Sequence, residues 1–228
     1  NNQVKDKGLI TRFKISCSKF VVMQSMIIII DSWLFTSQNL AVLVVDNGSP
    51  YVRDITSRLD NIKQVYDLKR YDEEFLLSNY QRVILSGRRK NKKEINSTNS
   101  KIIKTCFTDE IPVLGICYGA EIIALTFGGT LHRTDLVQGF RRINVEKQTK
   151  LLEKAHCNVY ESHAYAISHL PQNFICVASS DTSKHEIICH NSKKIFGTQF
   201  HPEKSGECGT ELIRNFVSLW QEFYFPYY

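Results

Sequence analysis

Residues 111–129 read IPVLGICYGAEIIALTFGG, and this stretch decides the fold. IPVLGIC (111–117) is a short apolar run of the kind carried by a strand buried on both faces. Residues 118–127 are apolar on nearly every side, as in a buried helix, and Gly128 and Gly129 stand where a helix end needs φ > 0. Strand and helix meet at GICYG (115–119). Gly-x-Cys-x-Gly at such a junction is the thiol form of a nucleophile elbow. The glycines permit a tight turn, which projects Cys117 from the carboxyl edge of the sheet, where open α/β folds bind ligands. The helix N-terminus beneath it favours a thiolate and offers N–H groups to an oxyanion. Taken alone, the pentapeptide also fits a buried structural cysteine between unrelated glycines.

The flanking sequence repeats the alternation. LAVLVVDNGS (40–49) is an apolar run ending in turn residues, and 51–59 reads as a helix. QVYDL (64–68) and RVILSG (82–87) are two further short strands, 88–100 is polar, and a helix is expected over 101–107. Strands alternating with helices predict an α/β fold, a doubly wound, mostly parallel sheet flanked by helices. The second half is richer in strands, at 142–146, 158–161, 174–179, 186–190 and 195–199, with a closing helix over 209–223. No repeat or linker interrupts this pattern, so 40–223 reads as one domain.

A thiolate nucleophile needs a base, and the base an orienting group. The run KIFGTQF (194–200) leads directly into His201-Pro202-Glu203. Pro202 fixes the backbone between two side chains that need defined positions, and Glu203 can hold the imidazole and stabilise its charge. One histidine of seven beside a carboxylate is weak evidence. One that ends a buried strand in a chain with a cysteine elbow is stronger.

Composition bounds the rest. The chain has 228 residues, 43% hydrophobic and 23% charged, with 29 Lys+Arg against 23 Asp+Glu for a formal charge of +6. This is a globular chain with a mild preference for anionic partners, not a disordered one. Seven cysteines at wide spacings, with no C-x-x-C, argue against a disulfide framework and for a reducing, cytoplasmic compartment. His185, Cys189 and His190 come nearest to a metal set but lack a partner and match no zinc spacing, so no metal or cofactor is expected. Residues 1–39 read as an N-terminal extension outside the core, translated from an early start. Its apolar run, 20–35, holds Asp31 and is too short to span a bilayer, and no cleavage site follows it. The aromatic tail FYFPYY (223–228) either folds back on the body or docks on a partner.

Together, GICYGAEIIALTFGG, GTQFHPE, VVDNGSPYV, VILSG and YESHAYAISHLP resemble the class I glutamine amidotransferases, in the family's order and over nearly all of 40–223. Within the family they are most similar to the stand-alone amidotransferase subunits of archaeal GMP synthases. The resemblance implies hydrolysis of the L-glutamine side-chain amide, with Cys117 as nucleophile, His201 as proton carrier and Glu203 orienting it. It also implies an oxyanion site of backbone N–H groups from Tyr118 and from the loop at Gly87 and Arg88. Glu121, Gly139, Phe140, Ser162 and His163 match positions lining the glutamine pocket, although His163 also reads as an ordinary surface imidazole. The ammonia would pass to a separate ATP-dependent synthetase subunit, since the chain holds no P-loop and no SGGxDS run.

Two departures stand out. The family's Gly-Gly-Pro after the third strand is here Gly87-Arg88-Arg89, and its glutamine two residues after the elbow is Glu121. A carboxylate accepts hydrogen bonds but cannot donate one. Glu121 is therefore either a tolerated variant, a handicap for glutamine, or a selector for a substrate with an extra ammonium. RRKNKK (88–93) places five basic residues in six. With no interleaved aromatics it argues for a solvated loop or a contact with an acidic synthetase face rather than nucleic acid. Three functions compete: an ammonia-delivering subunit, a γ-glutamyl hydrolase for a modified glutamine or peptide, and a catalytically idle partner-binding scaffold.

Overall fold

The computed structural model describes residues 41–219. The expectations for the extension, the helix end beyond 219 and the aromatic tail lie outside the described residues. The elements are β1 (Val42–Asp46), α1 (Val52–Asn61), β2 (Tyr66–Arg70), β3 (Arg82–Leu85), α2 (Lys93–Thr108), β4 (Val113–Ile116) and α3 (Tyr118–Thr126). There follow β5 (Thr130–Val145), β6 (His156–His169), β7 (Phe174–Ser179), β8 (Ile187–His190), β9 (Ile195–Thr198) and α4 (Gly206–Ser218), with a 3-10 turn at Pro202–Lys204. Among the described residues nine strands form one sheet in the order β2-β1-β3-β4-β9-β8-β7-β5-β6. From β2 to β9 the pairing is parallel, and from β9 to β6 it is antiparallel. The strand-rich second half is thus the antiparallel wing of a mixed sheet.

The parallel strands are continuous apolar runs because both faces are covered. Val42, Val44, Ile84 and Leu114 face one core with Ile55 and Leu59 of α1 and Leu212, Ile213 and Phe216 of α4. Leu43, Val45, Val83 and Leu85 face the other, with Ile102 and Ile103 of α2 and Ile122 and Ile123 of α3. Adjacent residues of one strand therefore enter different cores, the alternation that strand geometry imposes.

Four elements differ markedly from the sequence expectation. Helix α2 begins at Lys93 rather than 101, burying Ile95, Asn99, Ile102, Ile103 and Cys106 on one face. Its first half carries only one apolar inward residue, Ile95; the other, Asn99, donates to Asn47 Oδ1 at 2.7 Å and the Ile95 carbonyl at 2.8 Å. Strands β5 and β6 pair over most of their 16 and 14 residues. Most of β5 is exposed or half-buried, so it carries no apolar alternation to read. Helix α4 starts three residues early, at Gly206.

The cysteine expectation is corrected at one pair. Cys157, at the start of β6, and Cys208, in the first turn of α4, form a disulfide with Cα atoms 6.2 Å apart. Wide spacing along the chain says nothing about this approach, which arises because β6 runs alongside the segment leading into α4. Cys106, Cys117, Cys176 and Cys189 are free thiols. No helix among the described residues is long and apolar enough to cross a membrane.

Candidate functional site

Strands β4 and β9 are parallel neighbours, with Ile116 opposite Thr198. The residues that follow them, Cys117 and His201, therefore leave the sheet at the same edge. Cys117 has φ 51° and ψ −104°, a strained backbone for a residue with a side chain. The strain is held by its N–H donating to the Thr198 carbonyl at 2.7 Å and by its own carbonyl accepting from Ala120 and Glu121 N–H at 2.9 and 3.0 Å. Both elbow glycines are sterically required. A Cβ on Gly115 would lie 2.3 Å from the Gly119 carbonyl, and one on Gly119 would lie 2.4 Å from the Leu85 carbonyl oxygen.

The Cys117 thiol is 8% exposed and His201 3%. His201 Nδ1 bonds Glu203 Oε1 at 2.8 Å, which leaves Nε2 for the cysteine. Burial alone would push this imidazole down. The Glu203 carboxylate and the Cys117 sulfur outweigh it and carry His201 up to about 10. Burial pushes the Cys117 thiol up, while His201 and the Tyr118 backbone N–H favour its thiolate. His201 is itself clamped. Its N–H donates to the Tyr160 carbonyl at 2.8 Å, Ser205 Oγ donates to the His201 carbonyl at 2.6 Å, and Tyr160 N–H donates to Ser205 Oγ at 2.9 Å.

The loop after β3 approaches the same point. A Cβ on Gly87 would sit 3.2 Å from His201 Cε1 and 3.8 Å from Cys117 Cβ, so the loop backbone passes close against both side chains. Arg88 turns inward, its guanidinium carbon 3.8 Å from the Tyr118 ring centroid and Nη1 donating to Asn96 Oδ1 at 2.6 Å. Glu121, in the first turn of α3, is 6% exposed. Burial raises its carboxyl, opposed by a 3.4 Å bond from Gln199 Nε2 and by the charges of Arg88, His163 and His201. The carboxylate therefore lies within electrostatic reach of Arg88, His163 and His201.

The hairpin supplies the remaining wall. The Cys117 thiol points to the Ser162 carbonyl at 3.8 Å. Gln138 lies opposite Ser162, Gly139 opposite Glu161 and Phe140 opposite Tyr160, which brings the expected pocket residues of β5 and β6 together. Phe140 is 62% exposed and packs edge-on against Tyr160. His163 is not a surface imidazole. It is buried, with Nδ1 donating to the Tyr165 carbonyl at 2.9 Å and Nε2 against Glu161 Oε2 at 3.0 Å. Both ring nitrogens are thus engaged by protein, so His163 shapes the pocket through the strand it fixes. Behind it, Glu161 accepts from Thr182 Oγ1 at 2.9 Å, and Glu186 accepts from Ser180 Oγ at 2.7 Å. Burial and the neighbouring Glu161 raise the Glu186 carboxyl well above the ordinary carboxylate range.

The family model for glutamine amidotransferase class-I matches residues 43–220. The chain belongs to this family. The amidotransferase is 31% identical over 186 residues to a subunit of the glutamine-hydrolyzing GMP synthase of Methanocaldococcus jannaschii, covering 78% of this chain and 96% of that protein. It is 29% identical over 180 residues to the GMP synthase of Petrotoga mobilis, covering 77% of this chain and 35% of that protein. The chain thus spans about a third of the longer relatives it matches. A crystal structure from Thermoplasma acidophilum, provisionally named as one subunit of a GMP synthase, superposes with TM-score 0.72 at 28% identity, covering 79% of this chain and 94% of that one.

Two features of the amidotransferase site escape sequence reasoning. Tyr51, just before α1, lays its ring edge-on against His201 at 4.8 Å. Asn47 ties the loops after β1 and β3 together, its N–H donating to Ser86 Oγ at 2.9 Å and its Nδ2 to the Ser86 carbonyl at 3.0 Å. Both residues lie in VVDNGSPYV, a string that carries the family resemblance but whose spacing assigns them no role. Of the weak metal set, His190 packs among Phe107, Phe127 and Phe174 and accepts from Lys193 N–H at 3.0 Å. Among the described residues no group of three His, Cys, Asp or Glu is placed to hold a metal.

Proposed function

We propose that the chain hydrolyses the side-chain amide of L-glutamine and hands the ammonia to a separate ATP-dependent synthetase, with GMP synthase as the system served. The observation that carries this reading is the buried Cys117–His201–Glu203 array, Cys117 on a strained elbow and Glu203 bonded to His201 Nδ1. The Cys117 thiolate attacks the amide carbonyl, forming a C–S bond and an oxyanion held by backbone N–H groups of Tyr118 and the Gly87–Arg88 loop. The C–N bond then breaks as His201 gives its proton to the nitrogen, releasing ammonia and leaving a γ-glutamyl thioester. His201 next takes a proton from water, which attacks the thioester and releases glutamate and the thiol. Glu203 keeps the imidazole in register throughout. The functional unit is residues 40–223.

A second reading rests on Glu121, a buried carboxylate whose bond from Gln199 is long, at 3.4 Å. Under it the substrate is a γ-glutamyl compound bearing an extra ammonium. One experiment separates these from an idle scaffold. An electrophilic glutamine analogue should label Cys117 and spare the other six cysteines, and Cys117→Ala should abolish ammonia release while keeping the fold. Labelling spread over several thiols would count against the elbow, and turnover by Cys117→Ala would end both enzymatic readings.

A further inference from the structure

The run RRKNKK is not one patch. Arg89, Lys90, Lys92 and Lys93 are exposed, whereas Arg88 is half-buried and turned toward the site. Its guanidinium lies over the Tyr118 ring at 3.8 Å, and Asn96 Oδ1 accepts from both Arg88 Nη1 at 2.6 Å and the Tyr118 hydroxyl at 2.9 Å. Asn96 Nδ2 in turn donates to Asn91 Oδ1 at 3.3 Å, tying in the far end of the same loop. Arg88, Asn96 and Tyr118 thus close a ring of contacts joining the loop after β3, helix α2 and the first turn of α3. The backbone of Arg88 and Tyr118 is where this matters. The Tyr118 N–H stabilises the Cys117 sulfur, and Gly87, bonded to Arg88, packs against Cys117 and His201.

We propose that Arg88 is a positioning residue that clamps the β3 loop onto Tyr118, so that the two backbone donors for the oxyanion are held as one unit. The inference rests on the acyl-transfer reading above. An exposed loop of polar residues leaving a buried strand has few apolar contacts to fix it. A planar cation can hold it through ring stacking and a charge-assisted hydrogen bond at once, which an ammonium does less well. The charge also has a use, since Arg88 offsets the buried Glu121 carboxylate in the same first turn of α3. Oxyanion donors act only when their distance to the developing charge is right, so a looser loop should slow acyl transfer without weakening substrate binding.

The test compares wild type, Arg88→Ala, Arg88→Lys, Asn96→Ala, the Arg88→Ala/Asn96→Ala double variant and Arg89→Ala. Each is assayed on glutamine and on p-nitrophenyl acetate, and for alkylation of Cys117 by iodoacetamide. Alkylation displaces iodide at a saturated carbon and forms no oxyanion, so it reports the thiolate alone. Arg88→Ala should lose at least about tenfold in kcat on both acyl substrates, with KM changed by less than about threefold. Its alkylation rate should fall by far less than its kcat, since Tyr118 itself stays anchored in α3. Arg88→Lys should fall between, Arg89→Ala should match wild type, and the double variant should be no slower than Arg88→Ala. Undiminished kcat in Arg88→Ala, a change confined to KM, or alkylation falling in parallel with turnover would each overturn the clamp. Ester turnover without glutamine turnover in wild type would sink the glutamine reading alone, the clamp then being judged on the ester.

Discussion

At the scale of single residues, the site is a set of buried ionisable groups whose partners decide their protonation. His201 is the sharpest case, carried up to about 10 against its own burial chiefly by Glu203 and Cys117. A histidine whose folded pKa exceeds its unfolded value adds stability that is complete below about 6.5 and is lost as pH rises through the folded value. Glu203→Gln removes the charge responsible. We therefore expect Glu203→Gln to melt well below wild type at pH 6, with the gap closing as pH approaches 10. A gap that stays constant across that range would show that Glu203 does not set the imidazole charge. Glu121 runs the other way, a carboxyl raised by burial beside a substrate that is itself an anion. Glu121→Gln restores a donor at nearly constant volume. If glutamine is the substrate, KM should drop a few-fold with kcat nearly unchanged, the sign of altered uniform binding. If the carboxylate reads an extra ammonium, the same change should leave glutamine turnover low and abolish activity on amine-bearing γ-glutamyl compounds. Kinetics of both proteins on both substrate types between pH 6 and 9 decide between these, and identical profiles would remove Glu121 from the pocket.

Elements carry these residues, and their legibility in the sequence follows from how they are covered. Strands β1, β3 and β4 are readable because burial on both faces leaves uninterrupted apolar runs. The elbow is readable because Gly115 and Gly119 are required by backbone contacts closer than any Cβ could tolerate. The first half of α2 is not, because of its two inward residues only Ile95 is apolar, Asn99 being held by hydrogen bonds. Nor is the β5–β6 hairpin, whose pairing is set by backbone ladder bonds and whose β5 side chains are mostly solvated. The disulfide is invisible for a different reason: Cys157 and Cys208 are 51 residues apart and meet only once β6 lies beside α4. Its position gives it consequences. Within a few residues of each cysteine lie Tyr160 on one side and Ser205 on the other, the two groups that fix the His201 backbone. Closing a loop of that length is worth about 4 kcal/mol in the chain-entropy limit. Cys157→Ser should therefore lower the melting temperature by at least about 5 °C, as should reduction of wild type. Equal melting of oxidised and reduced protein would show that the bridge adds nothing to stability.

On the scale of the whole molecule, the site edge of the sheet is bordered by two unlike surfaces. On one side is the exposed basic run at Arg89, Lys90, Lys92 and Lys93; on the other is the hairpin, which leaves Leu136, Phe140 and Tyr165 exposed. With a net charge of +6, the chain favours an acidic partner. Ammonia released with no acceptor is wasted, so a chain that feeds a synthetase is expected to be slow until the synthetase is bound. We expect weak glutamine hydrolysis by the isolated chain and a rise of at least tenfold, about 1.4 kcal/mol of barrier, on adding the cognate synthetase. If the basic run makes the contact, reversing Lys90, Lys92 and Lys93 to Glu should weaken activation while leaving the basal rate unchanged. Raising the salt concentration should weaken it too, since charges exposed at a rim are screened within about 10 Å at 0.1 M. Activation that persists in the reversed variant would move the contact to the hairpin, where Phe140→Ala and Leu136→Ala should then reduce it. Full activity of the isolated chain, unchanged by any synthetase, would instead favour an independent γ-glutamyl hydrolase and make Glu121 the residue that selects its substrate.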